Sequence, residues 1–331
     1  MLRTPLCQQL GLEHPIFSVG FGAGAGPELA AAVSNAGACG VLGSSGQPAS
    51  YVRQQIQRLR ALTTKPFGVN VILAILREGV IEACLDEQPP IVVLFWGDPA
   101  PYVEPAHRRG IKVFIQIGSV EEARAAAAGV DAIIAQGIEA GGHVKSKTSL
   151  WALLPQVVEA VGVPVIAAGG IATGKGLVAA LSLGAQAVSM GTRFVASEEA
   201  FAHPEFKRRV VESRAEDTIY CDLFNVGWPD APHRALRNKA VEEWEAAGRP
   251  PSGERPGEGS KIGTLARAGQ TVDVQKYAAI MLTPEFEGSI DHVPMWAGES
   301  CSLVNDIRPA AQIVRDVVQE AEEVITRFRQ A

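Results

Sequence analysis

Short apolar runs alternate with amphipathic stretches over the first two hundred residues of this chain. The apolar runs are rich in Val, Ile and Ala and predict eight strands, at residues 14–19, 39–42, 67–71, 91–95, 112–117, 131–135, 163–168 and 185–190. The amphipathic stretches predict helices near residues 27–35, 49–62, before 86, and at 101–109, 120–128, 150–161 and 174–183. Strands that are apolar along their whole length are typical of a parallel sheet that is covered on both faces.

Eight strand and helix repeats predict an α/β protein with a closed (β/α)8 TIM barrel. An open, doubly wound sheet is the alternative. The glycine-rich segment 20–26 follows the first strand, but its spacing does not match the G-x-G-x-x-G fingerprint of dinucleotide-binding sheets. The barrel is therefore the preferred fold.

The repeat pattern breaks after residue 198. Residues 199–290 predict a mostly helical insertion after strand eight, with helices at 203–214, 233–247 and 272–281 and a proline- and glycine-rich loop at 250–259. Residues 303–329 return to a helical period and predict the last barrel helix. We therefore expect a barrel built from residues 1–198 and 291–331. The insertion would emerge at the carboxyl end of the barrel, where active sites of this fold lie. It would therefore act as a lid over the substrate pocket.

Charge and composition narrow the class of protein. The chain of 331 residues has a formal net charge of −6 and no dense run of Lys and Arg, which argues against a nucleic-acid partner. No apolar run reaches the roughly 18 residues of a membrane span, and no leader segment opens the chain, so we expect a cytoplasmic protein with no membrane partner. The five cysteines form no C-x-x-C pair, and no metal site is predicted. Barrels of this kind often form homodimers.

The sixth strand ends in the sequence Ala-Gln-Gly-Ile-Glu-Ala-Gly-Gly-His, residues 135–143. Gly141 and Gly142 lack Cβ atoms, so a flat or anionic ligand can approach the backbone N–H groups there. His143 follows them, and the pKa of an unperturbed histidine suits proton transfer near neutral pH. The remaining histidines lack such a setting and are expected to be structural or surface residues: His14, His107, His203, His233 and His292.

Two more glycine sites follow strands seven and eight. Gly169 and Gly170 end the seventh strand, and Gly191 and Thr192 end the eighth. Phosphate-binding barrels hold a phosphate at these two loops. Asn70, Gln116 and Gln136 lie at other strand ends and supply amides for a heterocyclic ring. A phosphate tail and a flat reactive head together predict flavin mononucleotide (FMN).

These segments resemble the nitronate monooxygenases, formerly called 2-nitropropane dioxygenases. Their superfamily includes flavin-dependent enoyl-acyl carrier protein reductases and NADH:quinone reductases. The similar segments span nearly the whole chain, at residues 28–37, 66–70, 135–143, 167–171, 190–192 and 296–299. The resemblance implies that His143 is a catalytic base and that FMN contacts Asn70, Gln136, Gly141, Gly142, Gly169, Gly170, Gly191 and Thr192. The wider predicted FMN set adds Ser18, Val19, Gly20, Gln116 and Ala168.

The chain departs from the family beside the reactive edge of the flavin. Where relatives usually have Ala-Pro-Met after the first strand, this chain has Ser-Val-Gly-Phe at residues 18–21. Phe21, Trp228 and Trp296 are the predicted aromatic residues of the substrate pocket, and Phe224 is a further candidate.

Three functions remain in view. The first is FMN-dependent oxidation of alkyl nitronates or nitroalkanes by O2 to a carbonyl compound and nitrite, with His143 as the base. The second uses the same flavin site for NAD(P)H-dependent reduction of a quinone or an enoyl thioester, with the nicotinamide lodged under the insertion. The third is a flavin-free phosphate-binding barrel that acts as an isomerase or a regulatory protein.

Overall fold

Eight parallel strands form the barrel in the computed structural model of this chain, which describes residues 2–267 and 270–330. The first nine strands along the chain are β1 (Ile16–Ser18), β2 (Gly40–Gly43), β3 (Phe67–Ile72), β4 (Ile91–Phe95), β5 (Lys112–Ile117), β6 (Ala132–Gln136), β7 (Gly142–His143), β8 (Val165–Ala168) and β9 (Ala187–Met190). All of them except the two-residue β7 belong to the barrel.

The barrel closes between β1 and β2. Neighbouring strands pair in parallel in the order β1, β9, β8, β6, β5, β4, β3 and β2. A parallel bridge between Phe17 and Cys39 joins the two ends, with the Ser18 N–H donating to the Cys39 carbonyl at 3.0 Å and the Cys39 N–H donating to the Ile16 carbonyl at 2.9 Å. The predicted (β/α)8 barrel is confirmed.

Helices cover the outside of the barrel, and two further α-helices lie in the described part of the insertion. They are α1 (Pro5–Leu10), α2 (Pro27–Asn35), α3 (Ala49–Leu62), α4 (Val80–Glu87), α5 (Ala100–His107), α6 (Val120–Ala126), α7 (Leu150–Ala160), α8 (Gly174–Ser182), α9 (Thr192–Val195), α10 (Pro204–Glu212), α11 (Lys239–Ala246) and α12 (Ala310–Gln330). The last helix packs against α8 and α2 and completes the helical ring, as predicted. Among the described residues, no helix is both long enough and apolar enough to span a membrane.

The core of the barrel consists of two layers, and a third hydrophobic cluster lies in the insertion. One layer fills the barrel interior, where the Phe17 and Phe114 rings lie 6.0 Å apart. Leu6 and Cys7 of α1 belong to the same cluster, so the first helix packs against the interior layer. The second layer lies between the strands and the surrounding helices. At the carboxyl ends of the strands, residues such as Asn70, Gln136 and Ala168 line a cavity instead.

The insertion is not mostly helical, so that prediction is wrong. Its described part contains α10 and α11 together with β10 (Thr218–Cys221), β11 (His233–Leu236), β12 (Lys261–Arg267), β13 (Gln270–Gln275) and β14 (Phe286–Gly288). Strands β10, β11 and β7 form one antiparallel sheet, and β13, β12 and β14 form another.

Two of the three helices predicted in the insertion are corrected. The segment 233–247 is a strand followed by α11, which begins where the Asn238 side chain accepts from the Val241 N–H. The segment 272–281 begins in β13, where Val274 is buried and the other residues of the strand are exposed. The β-branched residues Thr271, Val272 and Val274 favour a strand, and pairing with β12 stabilises it. The helix near 203–214 and the loop at 250–259 are confirmed.

Candidate active site

A cavity of about 560 Å³ lies at the carboxyl ends of the barrel strands and is roofed by the insertion. Its wall includes nearly all of the predicted site residues: Val19, Gly20, Phe21, Asn70, Gln116, Gln136, Gly141, Gly142, His143, Ala168, Gly169, Gly170, Gly191, Thr192, Trp228 and Trp296. Ser18 is the exception, because its buried hydroxyl accepts from the Val41 N–H at 2.9 Å and does not line the cavity. Phe224 is buried outside the cavity wall.

His143 is held at the cavity wall by an antiparallel pair. It lies on β7, and its partner in register is His233 on β11. The His143 Nδ1 atom lies 3.0 Å from the Ala231 carbonyl oxygen. Because a carbonyl only accepts, Nδ1 carries the hydrogen in the neutral ring and Nε2 keeps its lone pair. Burial, and then the neighbouring His233, lower the pKa of His143 to about 3. The ring is therefore neutral at pH 7 and can accept a proton at Nε2.

The second histidine, His233, was expected to be a structural or surface residue, and it lies fully buried beside His143. The two ring centroids are 5.5 Å apart. The His233 Nδ1 atom lies 3.1 Å from the same Ala231 oxygen, and its Nε2 atom accepts from the Phe224 N–H at 3.2 Å. Burial lowers the pKa of His233 to about 4. Two neutral imidazoles thus fix the orientation of one carbonyl.

Three tryptophans surround the candidate base. The centroids of the Trp228 and His143 rings lie 3.9 Å apart, and the ring planes are tilted by 37°. The Trp296 ring lies 5.2 Å away, and its Nε1–H donates to the Ile280 carbonyl at 2.8 Å. Trp96 was not predicted; it contacts His143 edge-on at 6.2 Å with a backbone φ of 59°. A bulky residue in the left-handed region is strained, which is a common feature of functional sites.

Gln136 provides a test of whether the site fits a flavin. Its Nε2 atom donates to the His143 carbonyl oxygen at 3.1 Å. Its Oε1 atom is buried, and within residues 2–267 and 270–330 it has no hydrogen-bond partner. A buried acceptor without a partner is costly, so a ligand with an N–H donor is expected to occupy this part of the cavity. The pyrimidine edge of a flavin carries such a donor.

The glycines of the site fall into two groups. A Cβ atom added at Gly142 would meet no described atom within 4 Å, and Gly142 has a φ of +75°. In contrast, a Cβ atom on Gly141 would lie 2.4 Å from the Gly298 nitrogen, and one on Gly20 would lie 2.5 Å from the Asn70 Cβ. Gly142 therefore leaves room for a ligand, whereas Gly141 and Gly20 are required by packing within the protein.

Comparisons with known proteins identify the family of this chain. The family model for nitronate monooxygenase matches residues 3–78 and 73–320. A probable nitronate monooxygenase of Staphylococcus aureus is 29% identical and covers 98% of each chain. A 5-hydroxy-7a-methyl-1-oxo-octahydro-1H-indene-4-carboxyl-CoA dehydrogenase of Mycobacterium tuberculosis is 36% identical over 75% of this chain and 70% of that protein.

Two solved structures are similar over almost their full lengths. FabK from Thermotoga maritima is 32% identical with a TM-score of 0.82 and covers 100% of this chain and 99% of that chain. A nitroalkane oxidase from Streptomyces ansochromogenes is 26% identical with a TM-score of 0.79 and covers 97% of this chain and 99% of that chain. The chain therefore belongs to the nitronate monooxygenase family and is an oxidoreductase of the flavin-dependent type.

Proposed function

We propose that this protein binds FMN and uses O2 to oxidise alkyl nitronates and nitroalkanes to a carbonyl compound and nitrite, with His143 as the base. The observation that carries the proposal is the His143 ring, whose Nδ1 atom is bonded to the Ala231 carbonyl at 3.0 Å. This bond leaves Nε2 as the only proton acceptor of a neutral imidazole at the cavity wall.

The residues present fit FMN. The unpartnered Oε1 atom of Gln136 and the amides of Asn70 and Gln116 would hold the ring, while the loops at 169–170 and 191–192 would hold the phosphate. When bound, FMN supplies the electron-transfer chemistry.

A side chain of the protein itself then accepts the proton that the substrate loses. His143 takes the α-proton of a neutral nitroalkane at Nε2, while Trp228 and the Ala231 carbonyl hold the ring in one orientation. Burial alone makes His143 a weak base, but an anionic nitronate beside the ring favours its protonated form and raises its pKa. The same charge pair would hold a nitronate that arrives already ionised.

Replacement of His143 by asparagine tests this role. With neutral nitroethane, we expect His143→Asn to lower kcat/KM by at least about 100-fold, the usual contribution of general base catalysis. The kcat/KM for preformed ethyl nitronate should fall much less, because this substrate needs no proton removal. His107→Asn is a matched control, because His107 is exposed and hydrogen bonds Asp131 outside the cavity. Unchanged turnover of nitroethane by an FMN-loaded His143→Asn protein would exclude His143 as the base.

NAD(P)H-dependent reduction of an enoyl thioester or a quinone is the second candidate. It is supported by the likeness to FabK and by the 36% identity to a protein named as a carboxyl-CoA dehydrogenase. Anaerobic mixing of the purified yellow protein with NADH or NADPH separates the two candidates. Rapid loss of the flavin absorbance favours the reductase, while loss only with a nitronate favours the monooxygenase. A colourless protein that cannot be reconstituted with FMN would support the flavin-free barrel instead.

A further inference from the structure

The cavity contains a second polar region, formed by Ser45 after β2 and Thr283 before β14. The hydroxyl oxygens of both residues are buried and lack a hydrogen-bond partner in the described part of the chain. Thr283 is only 2% exposed. Together with the Gln136 Oε1 atom, three buried polar atoms without partners therefore line this one cavity.

The Ser45 and Thr283 segments both lie next to Gly22. A Cβ atom on Gly43, two residues before Ser45, would lie 2.1 Å from the Gly22 carbonyl oxygen. A Cβ atom on Gly22 would in turn lie 3.9 Å from the Cβ of Met281, two residues before Thr283. The loop after β2 and the segment before β14 therefore both adjoin Gly22.

The cavity rim beside this region carries charges of both signs. The Arg77 guanidinium donates to the Gly46 carbonyl at 3.3 Å, next to Ser45. Burial, and then the nearby Glu285 carboxylate, raise the pKa of Tyr51, so Glu285 lies on the same side of the cavity. One cation and one anion give the rim no net charge.

These features define the chemistry of a matching ligand. Leaving a buried hydroxyl unpaired is costly, so a ligand that pairs both hydroxyls gains affinity. A hydroxyl both donates and accepts, and an amide offers both a donor and an acceptor. Because the rim is neutral overall, a neutral amide fits better than a carboxylate. Phe201 and Met281 also line the cavity, and they would contact an apolar chain.

We propose that Ser45 and Thr283 form a subsite that binds a neutral amide, carried by the substrate on an apolar chain away from the carbon that reacts near His143. This inference rests on the proposed function, because it names the substrate class of the same cavity. The amide belongs either to the nitronate itself or to the pantetheine arm of a thioester, and the experiment distinguishes these two sources.

The first arm measures selectivity with the FMN-loaded enzyme. The substrates are the nitronates of 1-nitrohexane and 6-nitrohexanamide, which differ at the far end of the chain. We expect the wild type to prefer the amide, and Thr283→Val and Ser45→Ala each to lower this preference, as a ratio of kcat/KM, by about tenfold, the effect of one lost hydrogen bond. Thr326→Val on the exposed face of α12 is the control and should keep the wild-type ratio. An unchanged ratio in Thr283→Val overturns the subsite.

The second arm measures binding without turnover. Hexanamide and pantetheine are titrated into wild type and Thr283→Val, and binding is followed by intrinsic tryptophan fluorescence, to which Trp228 and Trp296 of the cavity wall contribute. Weaker binding of hexanamide to Thr283→Val than to the wild type supports the subsite even if nitronates are not substrates. This result therefore tests the subsite independently of the proposed function. Tighter binding of pantetheine than of hexanamide, lost in Thr283→Val, identifies a thioester arm as the source. Loss of FMN from Thr283→Val with unchanged amide binding would assign the hydroxyl to the cofactor and overturn the subsite.

Discussion

Gln136→Met isolates the hydrogen-bonding role of Gln136 from its role in packing. Gln136 is 4% exposed at the end of β6, and methionine matches its length without a hydrogen-bonding amide. The variant loses the donor to the His143 carbonyl, which costs about 0.5–1.5 kcal/mol, and it also removes the buried, unpaired Oε1 atom, which relieves a penalty of about 1–3 kcal/mol. We therefore expect the free energy of unfolding of the apoprotein to change by between a loss of about 0.5 kcal/mol and a gain of about 2.5 kcal/mol.

FMN binding should respond differently. A flavin donor left without its acceptor costs about 1–3 kcal/mol, so the Kd for FMN should rise about 5- to 150-fold. The Kd is measured by quenching of FMN fluorescence on titration with apoprotein, and apoprotein stability is measured by urea unfolding. Gln156→Met is the control, since Gln156 also donates to a backbone carbonyl but lies exposed on α7. An FMN affinity equal to that of the wild type would refute the assignment of the Gln136 Oε1 atom to the cofactor.

Three further predictions address other parts of the site. Ser18→Ala should destabilise the fold by about 1–3 kcal/mol in urea unfolding, because the buried Val41 N–H loses its acceptor, while FMN affinity stays within about twofold; a large loss of FMN affinity would contradict this. Gly141→Ala should lower the Tm by about 2–4 °C, because the added Cβ atom would meet the Gly298 backbone, and Gly142→Ala by less, because its cost is the strain of an alanine at a φ of +75° without a clash; calorimetry of the apoproteins measures both, and the reverse order would be inconsistent with the packing. Because the pKa of His143 is lowered to about 3, kcat/KM for neutral nitroethane should stay level from about pH 7 to about pH 5; a fall with a midpoint near the usual value of about 6.5 would show an unperturbed imidazole.

Burial of the two histidines also links stability to pH. Their pKa values of about 3 and about 4 lie below the unfolded value of about 6.5, so the unfolded chain binds more protons between these limits. The stabilisation is present above about pH 6.5 and is lost as the pH falls toward the folded pKa values.

The barrel was predictable because its signals are local. Each strand is a short apolar run and each helix has its own periodicity, so the order of elements could be predicted without knowledge of their contacts. The main cofactor and base candidates followed from the same logic, since the carboxyl ends of parallel strands meet at one face. Gln136 and His143 could be placed at the site for this reason.

The features that could not be predicted from the sequence depend on contacts between segments that are far apart in the chain. His233 lies next to His143 only because β11 pairs with β7, ninety residues apart in the chain. Strand β13 is stabilised by its pairing with β12, which helical periodicity cannot reveal. The unpartnered hydroxyls of Ser45 and Thr283 belong to no motif, and they become visible only when the cavity is enclosed.

An aerobic assay of the purified protein, reconstituted with FMN, that scores nitrite release and NAD(P)H consumption side by side decides between the two candidate functions. With ethyl nitronate and no nicotinamide, we expect nitrite release in proportion to O2 uptake. Rapid NAD(P)H consumption with an enoyl thioester or a quinone, and no nitrite from any nitronate, would contradict this expectation and assign the cavity to a reductase.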